Sequence, residues 1–111
     1  MVTQSLWNDA DRNAFQESLV RRSLSAKGRQ TLLTELCRYR LRRGKRPIMD
    51  GGLYEVFGID DEEMIDIVQR YITAMGLPYL TQERLDEFNA PILTLANLID
   101  FLTFLERTES T

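Results

Sequence analysis

Asp60-Asp61-Glu62-Glu63-Met64-Ile65-Asp66-Ile67-Val68-Gln69-Arg70-Tyr71-Ile72-Thr73-Ala74-Met75-Gly76-Leu77-Pro78 is the stretch on which the fold class turns. Asp60 is followed three residues later by Glu63, the pattern of a capping box, and acids fill the first turn, where the helix dipole favours them. Met64, Ile65, Ile67, Val68, Tyr71, Ile72 and Met75 then recur at helical spacing. Gly76 suits the left-handed residue that closes a helix, and Pro78 prevents its continuation. A helix over about residues 60–75 is predicted.

The same reasoning extends in both directions. Towards the C-terminus, Thr81 caps a short helix over Gln82–Phe88 that Asn89-Ala90-Pro91 ends. Thr94 then caps a last helix with Leu95, Leu98, Ile99, Leu102 and Leu105 on one face and Phe101 beside it. Towards the N-terminus, Leu53-Tyr54-Glu55-Val56-Phe57 reads as a single apolar turn inside a glycine-marked loop over residues 44–58. Before it, Leu32, Leu33, Leu36, Cys37 and Leu41 share the face of a helix expected from about 27 to Arg43, where Gly44 stops it. Asn8 or Asp9 caps a first helix, with Arg21 and Arg22 in its last turn and Trp7 placed to staple onto its start. Its stripe of Ala14, Phe15, Leu19 and Val20 is thin, so this helix is expected to lie on the surface of the rest. Residues 23–28 read as a break, and no segment alternates as a strand would.

The 111 residues make one domain, 43% apolar and 28% charged, as an ordinary globular chain is. The fold class expected is all-α, a small bundle of four to five helices. Its regions would be an N-terminal helical extension over 1–26, a core over 27–106 and a tail over 107–111. One cysteine and no histidine exclude an internal disulfide, a Cys/His zinc site and a histidine general base. No apolar run spans a bilayer and the N-terminus lacks a signal-peptide pattern, so a cytoplasmic protein without membrane attachment is expected.

The net charge of −3 conceals a division. Residues 1–49 hold eleven Lys/Arg against four acids, whereas residues 50–111 hold three Arg against thirteen acids. Such asymmetry points to a polyanion for one end, a basic partner for the other, or halves that face each other. Arg38, Arg40, Arg42, Arg43, Lys45 and Arg46 form the basic candidate surface, with Tyr39 able to stack on a base. Asp60, Asp61, Glu62, Glu63 and Asp66 form the acidic one. Carboxylates can hold a divalent cation, but the calcium-loop pattern is missing, and support of the helix dipole with an acidic docking face is the reading preferred. Cys37, among leucines, reads as a buried inert thiol. Gly51-Gly52 and Gly58 fit no phosphate-loop pattern. No metal or cofactor site is expected, nor an enzyme, because no nucleophile–base pair can be assembled.

Residues 30–105 resemble an acyl carrier protein. In that family a first helix leads into a long loop and a short apolar turn, and Leu-Gly-x-Asp-Ser-Leu opens the second helix. Here Phe57-Gly58-Ile59-Asp60-Asp61-Glu62 stands at that opening, and Thr94-Leu95-Ala96-Asn97-Leu98-Ile99-Asp100-Phe101-Leu102 is similar to the terminal helix. The family's phosphopantetheine serine falls on Asp61, which cannot form the serine phosphodiester. The resemblance therefore implies an acyl-carrier-like core with an extra N-terminal helix that carries no arm. It also implies docking through the acidic helix, with Glu62, Glu63 and Asp66 retained for it. The expected function is a non-catalytic interaction or regulatory module with a protein partner. The alternative is a small nucleic-acid-binding regulator using residues 38–46.

Overall fold

The computed structural model describes residues 6–109, so the ends of the chain, including part of the expected tail, lie outside the described residues. Among the described residues there are six helices: α1 (Asp9–Val20), α2 (Ala26–Leu36), α3 (Leu53–Phe57), α4 (Asp61–Met75), α5 (Gln82–Phe88) and α6 (Leu95–Glu109). The apolar turn expected at 53–57 is α3. The all-α class holds, and among the described residues the extended pairing is one isolated bridge between Gly52 and Thr94.

Most helix ends follow the side-chain chemistry read from the sequence. Asn8 accepts the Asp11 N–H at 2.7 Å and starts α1. Asp60 accepts the Glu63 N–H at 2.8 Å, and the Glu63 carboxylate accepts the Asp60 N–H at 3.4 Å, which completes the capping box of α4. Gly76 closes α4 at φ 70°, a backbone region that L side chains avoid. Thr81 accepts the Arg84 N–H at 3.2 Å to open α5. Thr94 and Asn97 exchange bonds of 3.1 and 3.0 Å at the start of α6.

Three boundaries differ from expectation. α1 ends at Val20, so Arg21 and Arg22 lie beyond its last turn rather than in it. α2 begins at Ala26, because the Ser25 hydroxyl accepts the Gly28 N–H at 3.0 Å, and the break shortens accordingly. α2 also ends at Leu36, seven residues before Arg43. Carbonyls that a longer helix would use internally are taken by distant donors. Leu6 N–H donates to the Cys37 carbonyl and Trp7 Nε1–H to the Tyr39 carbonyl, each at 2.9 Å. Arg42 N–H donates to the Val56 carbonyl at 2.7 Å, which fixes the chain against α3 instead. The arginine-rich segment is therefore a loop, not a helix.

The core is one cluster to which every helix except α5 gives buried apolar side chains. α2 packs on α4 and α1 on α2. α1 does present only a narrow stripe: Phe15 and Leu19 are buried, while Ala14 and Val20 face solvent. Trp7 enters the core rather than stapling onto the next turn. Its ring meets Phe15 edge-on at 5.4 Å and stacks on Phe57 at 5.7 Å, joining the chain before α1 to α3. α5 lies over α6, with Phe88 5.1 Å from Phe101.

Trp7→Ala is expected to destabilise the fold by about 3–5 kcal/mol, because it removes a buried aromatic and leaves a cavity. Trp7→Phe keeps most of the contact and should cost clearly less. Urea denaturation followed by circular dichroism measures both. An alanine effect within about 0.5 kcal/mol would show that Trp7 is not a core residue.

Candidate functional site

Two kinds of polar arrangement are present, one buried between helices and one on the surface. In the first, Glu35 sits on the apolar face of α2 beside Leu32 and Leu36 and is 7% exposed. Arg70 of α4 donates from Nε to Glu35 Oε2 at 2.6 Å and from a terminal nitrogen to the Tyr39 hydroxyl at 3.1 Å. Arg38 adds a longer contact to Glu35 at 3.9 Å. The hydrogen bond to Glu35 holds the Arg70 guanidinium more firmly protonated than usual, and desolvation opposes it.

A second, half-buried tie joins α4, α6 and the start of α2. The Tyr71 hydroxyl donates to Glu106 Oε1. Ser25 donates to the same carboxylate from its hydroxyl at 3.0 Å and from its backbone N–H at 3.2 Å. A Cβ at position 28 would collide with both the Tyr71 hydroxyl and the Glu106 carboxylate, so any larger residue there has to displace the tie. Burial first, and then the Glu106 carboxylate, push the Tyr71 phenol far above its ordinary value. Glu35, Tyr71 and Glu106 were not among the sequence candidates. Their signal was present, since each occupies a position on an otherwise apolar helical face.

The surface arrangement holds the residues expected from the sequence. Within the acidic group, Asp60 and Glu63 serve the capping box, while Asp61, Glu62 and Asp66 stay exposed. Among the described residues no group of three or more histidine, cysteine or acidic side chains is placed to hold a metal ion. Cys37 is buried. Within the basic group, Arg38 leans on Glu35, and Arg42 lies over the Tyr54 ring, 4.4 Å from its centroid. Arg40, Arg43, Lys45 and Arg46 are exposed and, among the described residues, form no ion pair.

Folding brings one residue of the basic group, Arg42, close to the start of α4. The Arg42 guanidinium stands 3.5 Å from where a Gly58 Cβ would be, two residues before Asp60. The basic loop therefore runs up to the acidic opening of α4. The two halves of the chain do little to neutralise each other. Among the described residues Arg22–Asp100, at 3.9 Å, is the one ion pair from a basic-half cation to an acidic-half carboxylate. The much shorter Arg70–Glu35 pair runs in the opposite sense.

Among the described residues no helix is long and apolar enough to cross a membrane. Comparison with protein-family models, curated proteins and solved structures gives no match.

The Tyr71 tie carries a pH signature with a defined sign. The phenol's folded value lies above its ordinary value of 10.0, so the folded chain keeps a proton that the unfolded chain releases. The stabilisation is intact below pH 10.0 and is lost as pH rises beyond it. Denaturation between about pH 9 and pH 11 should show stability falling more steeply in the wild type than in Tyr71→Phe, by up to about 1.4 kcal/mol per pH unit. At neutral pH the same substitution is expected to cost about 1.5–3 kcal/mol. Parallel slopes in the two proteins would place the phenol outside the core.

Proposed function

We propose that the chain is a non-catalytic, cytoplasmic interaction protein with an acyl-carrier-like core and a protein partner. The partner docks on the surface formed by the 38–46 loop and the opening of α4. The observation that carries this reading is the set of exposed, unneutralised cations Arg40, Arg43, Lys45 and Arg46 on a loop whose Arg42 reaches Gly58, next to the helix start that exposes Asp61, Glu62 and Asp66. A bipolar surface of this kind fixes the orientation of a complementary partner and speeds its encounter. The helix order supports the acyl-carrier-like part: α2, a long loop, the short apolar α3, the acid-opened α4, the short α5 and a terminal α6. With Asp61 at the position of the family's serine, the core carries no prosthetic arm, and binding is what remains.

One observation favours a second reading. Tyr54 is 59% exposed and already carries a guanidinium on its ring, so the Arg42–Tyr54 pair offers a stacking surface next to free cations. Single-stranded nucleic acids use that combination.

A tagged chain recovered from its native cell, with and without nuclease, separates these readings. A stoichiometric protein that survives nuclease is expected. It should be lost on Arg43→Glu/Lys45→Glu/Arg46→Glu or on Asp61→Lys/Glu62→Lys/Asp66→Lys, with the helical circular dichroism signal unchanged. Bound material that vanishes with nuclease would move the function to nucleic acid, and retention of the same partner by both variants would end the surface assignment. Incubation with a phosphopantetheinyl transferase and coenzyme A should leave the intact mass unchanged. A mass increase by one arm would overturn the arm-free reading.

A further inference from the structure

A separate cleft of about 450 Å³ opens where the end of α1 meets α6. Arg21 and Arg22 enter it from the C-terminus of α1, and Arg107 enters from the last turn of α6. Thr103 and Phe104 line it from α6, and Asp100 supplies the carboxylate among its lining residues. The sequence reads Arg21 and Arg22 as complements of the first helix's dipole, but α1 ends at Val20 and its last carbonyls are bonded by the backbone. The Arg21 and Arg22 N–H groups donate to the Ser18 and Leu19 carbonyls at 3.4 and 2.9 Å. Those two carbonyls are thus served by backbone N–H groups rather than by the Arg21 and Arg22 guanidiniums.

Three arginines and one carboxylate line the cleft, and the Arg22–Asp100 contact is a loose 3.9 Å. Among the described residues Arg21 and Arg107 form no ion pair. The cleft lining thus holds three arginines to one carboxylate, on two different helix ends, with Glu17 beside Arg21 and Arg22 in the neighbouring cleft. Such a concentration of like charge is relieved by an anion of matching charge. The planar fork of arginine pairs two N–H groups with two oxygens of a phosphoryl group, and here several forks line one concave space. Its volume lies in the range that small-molecule sites occupy.

We infer that this cleft is a binding site for a small soluble phosphomonoester, whose dianionic phosphoryl head is held by Arg21, Arg22 and Arg107. It is distinct from the basic loop and does not depend on the reading of that loop. Asp100 disfavours a ligand with acidic groups beyond the head, and Phe104 gives an apolar wall to the remainder.

The test is a titration of the isotope-labelled full chain with inorganic phosphate at constant ionic strength, followed through the arginine Nε–H signals. Saturable shifts at Arg21, Arg22 and Arg107 are expected, with a Kd of about 1 mM for the bare head group. Arg21→Gln and Arg107→Gln should each weaken binding roughly tenfold, as loss of a charge-assisted hydrogen bond does. Lys27→Gln, an exposed cation outside the cleft, should leave it unchanged. Non-saturating shifts, shifts centred on residues 40–46, or undiminished binding by both glutamine variants would overturn the site. Thermal unfolding of each variant checks its fold, and if Arg107→Gln fails to fold, Arg21→Gln decides the outcome.

Discussion

The first turn of α6 is the constraint on which the rest of the fold depends. A helix begins with four backbone N–H groups that have no partner within it. Here Leu95 donates to the Gly51 carbonyl at 3.0 Å and Ala96 to the Met49 carbonyl at 2.9 Å. Asn97 N–H donates to the Thr94 hydroxyl at 3.1 Å, and Thr94 N–H donates to the Asn97 side-chain oxygen at 3.0 Å. The long loop after α2 therefore serves as part of the cap of a helix more than forty residues away in sequence. Leu53 N–H returns a bond to the Leu93 carbonyl at 2.9 Å, which sets α3 beside the same turn. With α3 fixed, Arg42 bonds to Val56 and rests on Tyr54, and the basic loop takes its course towards α4. The charged surface is thus a product of backbone bonding deep in the loop, not of the charges themselves.

What the sequence made legible was local chemistry. Asp60 with Glu63, Gly76, Thr81 and Thr94 name their helix ends because each acts on backbone groups within a turn of itself. The end of α2 was not legible for the complementary reason. Residues 37–43 contain no glycine or proline, and Leu41 continues the apolar face. The stop comes from Leu6, Trp7 and Val56, which are far away in the chain and leave no mark on its periodicity. Leu41 still packs against the core, but as a loop residue.

The candidate surface divides along the same line. That Asp60 and Glu63 face backbone amides followed from their spacing, and that Asp61, Glu62 and Asp66 remain exposed followed from the apolar stripe opposite them. Contact between Arg42 and Gly58 could not be read, since it requires the loop's path. Glu35 was visible as a carboxylate on an apolar face. Its partner Arg70 lies one position before Tyr71 on another helix, and only the packing of α2 on α4 joins them.

Trp7 also gives the molecule an optical property. It is the only tryptophan in the chain, it is buried, and its indole N–H is bonded to the Tyr39 carbonyl at the start of the basic loop. An indole held against two phenylalanine rings emits at shorter wavelength than one in water. The emission maximum therefore reports whether the segment before α1 is seated on α3 and the loop. Fluorescence can follow the attachment of the chain's first described residues separately from its helix content, with no label added.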